Sequence, residues 1–180
     1  MKIIPTTISD LLIIYPTIYK DHRGLFFESY NKQTFASYGL IAEFVQDNQS
    51  ISAKNVIRGL HFQRPPYAQT KLVRVVSGSA IDVVVDLRKH SPSYGKYVKV
   101  LLTSAENTMF WIPEGFAHGF IALENNTILH YKASNYYNKK SEDALLWSDI
   151  HLNIDWGISN PIISEKDACA ASFKDFISPF

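Results

Sequence analysis

KLVRVVSGSAIDVVVDLR, residues 71–88, decides the fold. Two runs rich in Val, Ile and Leu meet at Ser77-Gly78-Ser79, a turn signal between strands. In the second run Asp82, Val84 and Asp86 oppose Ile81, Val83, Val85 and Leu87. A period of two turns successive side chains to opposite faces of a sheet. One of those faces therefore carries carboxylates among its valines.

The same grammar extends outward. From about residue 43 to 135 the chain is a series of short runs rich in Val, Ile, Leu, Phe and Tyr. Turn signals separate them: DNQS (47–50), RPPY (64–67), SPSYG (91–95), PEG (113–115) and ENN (124–126). This spacing predicts an antiparallel all-β sandwich or barrel. NKQTFASYG (31–39) predicts a short helix closed by Gly39. The tail after Trp156 reads as mostly irregular, with a short helix from Ser164. No repeat, low-complexity tract or linker divides the chain, so residues 1–180 read as one domain.

Composition bounds the function. At 180 residues and 46% hydrophobic content, one sizeable core is expected. The formal net charge is +1, so no global field draws the protein to nucleic acid or to a membrane surface. Any anion site is local. The N-terminal MKIIPTTISDLLIIYP is interrupted by Pro5 and Asp10 and lacks a small-residue cleavage pattern. Cys169 is the single cysteine and has no internal disulfide partner, which fits a reducing, cytoplasmic compartment.

Alternation next shows which polar side chains turn inward. In FAHGFIA, Phe116, His118 and Phe120 share a face; in TILHYKA, Leu129, Tyr131 and Ala133 do. His118, Tyr131 and an aspartate can thus all face the interior. VIRGLHFQ (56–63) poses a problem, because strict alternation puts Arg58 and His61 on opposite faces. They converge only if Gly59 permits a bulge.

His61-x-Gln63, Lys71, Gly78 and PEGFAH118 are spaced like the two short motifs of the cupin superfamily, which normally supply a His-x-His pair, a Glu and a later His to a metal. Here Gln63 stands for the second His, and Lys71 stands near the Glu. Two histidines beside a permanent cation are a poor site for a divalent ion. Arg58, His61 and Lys71 suit an anion or a developing enolate instead. No metal or other cofactor is expected.

Together, DHRGLFFESY (21–30), VQDNQS (45–50), VIRGLHFQ, QTKLVRVVSGSAIDVVVDLRKHSPSYGK (69–96), WIPEGFAHGF (111–120) and YKASNYYN (131–138) resemble the dTDP-4-dehydrorhamnose 3,5-epimerases. The resemblance runs from roughly residue 4 to 175. It implies a cupin-type jelly roll with short flanking helices, a dTDP-sugar substrate, metal-free chemistry and a homodimer whose strands pair or exchange. It implies inversion of C3 and C5 of dTDP-4-dehydro-6-deoxy-D-glucose through an enolate. By the same resemblance His61 is the base, Tyr131 the acid, and Asp167 the carboxylate that orients the histidine. Substrate contacts carry over to Arg23, Glu28, Gln46, Asn48, Arg58, Lys71, His118, Glu142 and Lys166, and Tyr137 to an aromatic that stacks on the thymine.

Several residues keep a second reading. Ser164-x-x-Asp167 is also a capping box, so Asp167 either orients His61 or closes a helix start. Asp82 and Asp86 are either partners of His118 or structural strand residues. Arg23 is either a turn residue or a buried anion clamp, and the clamp suits RGLFFE better. Ala144 and Ile150 depart from the family's usual glycine and proline. A sister enzyme that epimerises one carbon only would carry the same base and acid.

Overall fold

A computed structural model describes residues 1–180. Thirteen strands carry the architecture. They are β1 (Lys2–Pro5), β2 (Leu12–Tyr15), β3 (Tyr19–Asp21), β4 (Gly24–Phe26), β5 (Gln46–Ser52), β6 (Ile57–Gln63) and β7 (Lys71–Ser77). The remainder are β8 (Ser79–Asp86), β9 (Tyr97–Thr103), β10 (Met109–Ile112), β11 (Phe116–Ala122), β12 (Thr127–Ala133) and β13 (Glu142–Ala144). Helix α1 (Lys32–Ser37) precedes β5, and the single turn α2 (Glu165–Ala168) follows β13.

One sheet has the order β1-β2-β10-β7-β12-β5, the other β13-β6-β11-β8-β9, and every paired strand within them is antiparallel. The 71–88 segment falls on both: β7 lies in the first sheet and β8, after the turn at Gly78, in the second. Their inward faces meet in a core of Val73, Val75, Val84, Phe110, Phe116, Phe120 and Leu129. The two sheets pack face to face as a sandwich. The alternation in β8 holds: Asp82 and Asp86 lie inward and fully buried, while Val83, Val85 and Leu87 belong to a second cluster outside the sheet. The C-terminal segment covers that outer face with Leu145, Leu152 and Trp156, packed beside Phe176 and Phe180. On the outer face of the first sheet, Phe35 and Leu40 cover Ile14, Met109 and Trp111. Both flanks close a sheet face that would otherwise expose apolar side chains.

Asn31 caps α1 by accepting from the Gln33 and Thr34 amides, and Gly39 takes φ +79° just beyond its end. The turn reading of DNQS is corrected: residues 47–50 lie inside β5, paired residue for residue with β12. Polar content misled there. Asn48 and Ser50 are partly buried and Asp47 and Gln49 exposed, a strand alternation written in polar residues because its inner face borders a polar pocket.

Candidate active site

The conflict over Arg58 and His61 is resolved by a bulge. His61 pairs with His118 and Arg58 with Phe120, so three steps on β6 match two on β11. The extra residue returns both side chains to one face. Gly59 permits this with φ +135°. A Cβ at Gly59 would lie 2.5 Å from the Gly119 Cα, and one at Gly119 would lie 2.8 Å from the Arg58 carbonyl oxygen. Two facing glycines let the strands approach where the site needs them.

The bulge opens into a cavity of about 590 Å³ between the sheets. Asn48 from β5, Arg58 and His61 from β6, Lys71 from β7, His118 from β11 and Tyr131 from β12 line it. Lys166 and Asp167 reach it from α2. They are brought there by a parallel bridge between Val56 and Ile162, which lays the C-terminal segment beside the start of β6.

Asp167 does both jobs left open by the sequence. Its backbone amide donates to Ser164 Oγ at 3.1 Å, closing the helix start. Its carboxylate meets His61 Nε2 at 2.6 Å with Oδ1 and accepts from the Gly59 amide at 3.3 Å with Oδ2. Burial pushes this carboxyl up, but the hydrogen bond and charge of His61, with the Gly59 amide, outweigh it and leave it below the ordinary value. A second pair lies deeper: His118 Nε2 and Asp82 Oδ2 are 2.8 Å apart. The His118 ring stands edge-on to Tyr131, centroids 6.3 Å apart, and Lys71 Nζ lies 5.5 Å from the Tyr131 centroid.

Burial pushes the Tyr131 phenol up, and Glu142 adds to the shift, so it stays protonated near neutral pH. Lys71 goes the other way. Its burial lowers it to about 8 against the attraction of Asp82 and Glu142.

At the mouth, Glu142 accepts from Tyr137 OH at 3.0 Å and pairs with Lys166 at 2.6 Å. Gln46 accepts from the Tyr137 amide and donates to Asn48 Oδ1, both at 2.9 Å. Tyr137 itself is 55% exposed and free to meet a flat ligand. Gln63 is committed elsewhere: it donates to the carbonyls of Tyr67 and Tyr136 and accepts from the Asn138 amide. It braces the loop that carries Tyr137.

Gln46, Tyr137 and Glu142 sit at the mouth rather than in the lining, and two further residues lie away from both. Arg23 is 79% exposed and bonded to Asp21 at the β3–β4 turn, which corrects its reading as a buried clamp. Glu28 is exposed and accepts from Asn31 at 2.9 Å. Sequence reasoning also missed Ser50, which lines the pocket, and Ser52, whose Oγ accepts from Arg58 at 3.1 Å. Alternation from Asn48 would have found both, had β5 been read as a strand. A wider groove of about 860 Å³ lies at the end of β8, but its central Arg88 is fully engaged by Asp86 and Asp10.

Comparison with known proteins identifies the family. The family model described as dTDP-4-dehydrorhamnose 3,5-epimerase matches residues 5–175. The protein of that name from Salmonella typhimurium is 51% identical over 172 residues, 94% of each chain. A crystal structure of the Elizabethkingia anophelis NUHP1 enzyme superposes with a TM-score of 0.93 at 44% identity, covering 97% of both chains. The Legionella pneumophila enzyme, solved in complex with dTDP-4-keto-L-rhamnose, superposes equally well at 42% identity, covering 98% of this chain and 94% of that one. On this evidence the chain belongs to the dTDP-4-dehydrorhamnose 3,5-epimerase family.

Proposed function

We propose that the protein inverts C3 and C5 of dTDP-4-dehydro-6-deoxy-D-glucose to give dTDP-4-dehydro-L-rhamnose, with His61 as base and Tyr131 as acid. One observation carries the reading. A histidine backed by a buried carboxylate and a phenol held protonated border the same cavity as two cationic side chains. The C4 ketone acidifies the neighbouring C–H bonds. His61 takes a proton from one of those carbons, and the electron pair moves into an enolate with its charge on the C4 oxygen. Lys71 and Arg58 stabilise that charge, and Tyr131 returns a proton from the opposite face. Asp167 holds the His61 ring and supports its charged form. Tyr137 stacks on the thymine, and Gln46, Asn48, His118, Glu142 and Lys166 orient the rest of the substrate.

The working unit in this reading is a homodimer. Tyr19 and Phe26 on the β3–β4 hairpin are 64% and 67% exposed and lie side by side, ring centroids 6.5 Å apart, an apolar tip that a second copy would cover. Arg23 on that hairpin and Glu28 just beyond it would then meet substrate in the partner's pocket.

The test is proton exchange: incubate the protein with the 4-dehydro sugar nucleotide in D2O and follow C3 and C5 by NMR. Deuterium at both carbons is expected. Deuterium at C3 alone would assign the single-carbon reaction, and none at either would end the proposal.

A further inference from the structure

Asp82, the buried partner of His118, has no task in the reaction scheme above. Asp82 sits in the middle of β8, fully buried on the inward face. One carboxylate oxygen meets His118 Nε2 at 2.8 Å; the other, Oδ1, is buried with no hydrogen-bond partner. An unpaired carboxylate oxygen inside a sandwich is costly unless something offsets it. Lys71 enters the same interior from the facing sheet and is itself buried.

We propose that Asp82 is a positioning residue, the fixed counter-charge of the Lys71 ammonium and the group that holds the His118 ring in one tautomer. The proposal rests on the epimerase reading for its catalytic consequence only. Asp82 bonds to Nε2, so an Nε2–H would donate to it and the neutral ring would keep Nδ1 as an acceptor for a sugar hydroxyl. Lys71 must be charged to stabilise an oxyanion, yet burial works against its charge and leaves it at about 8. Asp82 and Glu142 are the groups that oppose this. Asp167, the carboxylate that lines the cavity, is already engaged by His61. Arg58 and Lys166 also border the cavity as cations, and His61, His118 and Tyr131 complete its titratable groups. Asp82 thus acts on Lys71 from the buried face of the opposite sheet, while Glu142 is shared with Lys166 at the mouth.

Two substitutions separate the two roles. Asp82→Asn keeps an acceptor for His118 Nε2–H and removes the charge; Asp82→Ala removes both. For Asp82→Asn, the alkaline limb of the kcat/KM profile should move down by about one pH unit, with dTDP affinity unchanged. Asp82→Ala should show that shift and also a raised KM for the sugar nucleotide. A limb in the wild-type position in a folded Asn variant would overturn the counter-charge.

Lys71 can also be titrated directly, by the NMR shift of its Cε carbon in substrate-free protein. The midpoint should fall by about one unit in Asp82→Asn. This readout needs no turnover, so it stands or falls separately from the epimerase reading. If Asp82→Asn does not fold, Lys71→Met supplies the reciprocal test: the Asp82 carboxyl should titrate at higher pH than in the wild type. An unchanged Asp82 titration would overturn the pairing. In the wild type at pH 7, ring-nitrogen NMR of His118 should show the Nε2–H form; the Nδ1–H form would overturn the orienting role.

Discussion

Two His–Asp pairs built from similar parts sit in very different surroundings. His61 and Asp167 join a bulged strand to a one-turn helix at the pocket wall, and the carboxylate is satisfied by a ring nitrogen and a backbone amide. His118 and Asp82 join neighbouring strands of one sheet, and one carboxylate oxygen goes unpaired. The difference separates motion of protons from fixing of charge. The His61 ring is about one-third exposed and can reach a substrate and solvent; the His118 ring is nearly sealed. A base has to exchange its proton with water after each turnover, so only the first pair suits that work.

The sharpest way to break this contrast is to remove each histidine. His61→Ala should lower kcat by at least about a hundredfold and abolish deuterium uptake at C3 and C5. His118→Ala should leave uptake measurable; equal losses would erase the distinction. Tyr131→Phe should suppress inversion by a similar factor but still allow deuterium to enter without change of configuration, because the base survives. Product formed at the wild-type rate in that variant would remove Tyr131 from the acid role.

Gly59→Ala tests the geometry that gives His61 its place. At φ +135° and with a 2.5 Å contact, the added methyl should cost about 1–3 kcal/mol, read by chemical denaturation, and displace the base. Wild-type stability would show that the strands can yield there. The smallest effect concerns pH. The folded Asp167 carboxyl lies below its ordinary value, so its contribution to stability is present above the unfolded carboxyl's pKa, about 4. It is lost as pH falls through the lower folded value. The stability gap between wild type and Asp167→Asn should therefore be level at neutral pH and close under acid; a gap that widened under acid would contradict the pairing.

Much of this was legible because the strands alternate. The inward placing of Asp82, His118 and Tyr131 follows from counting by two. Alternation failed where the backbone departs from the regular period, and the reason is physical. At Gly59 the extra residue reverses the count, so the distance between Arg58 and His61 in sequence says nothing of their shared face. At β5 the polar inner face imitated a turn, since residue type reports the neighbouring environment as much as backbone shape. Arg23 is not a buried clamp within one chain, where a neighbouring aspartate holds it at an exposed turn. The joining of Asp167 to His61 depends on a contact across 106 positions, beyond any local pattern.

That long contact also bears on how the protein is made. Both sheets are complete by Ala144, whereas the carboxylate behind His61 lies in the last part of the chain. During synthesis from the N-terminus, the strands emerge before the partner that holds the His61 ring. A product cut short after β13 would keep Arg58 and Lys71 yet lack both Lys166 and the partner of His61. Catalytic competence in this architecture is therefore the last property acquired by the growing polypeptide.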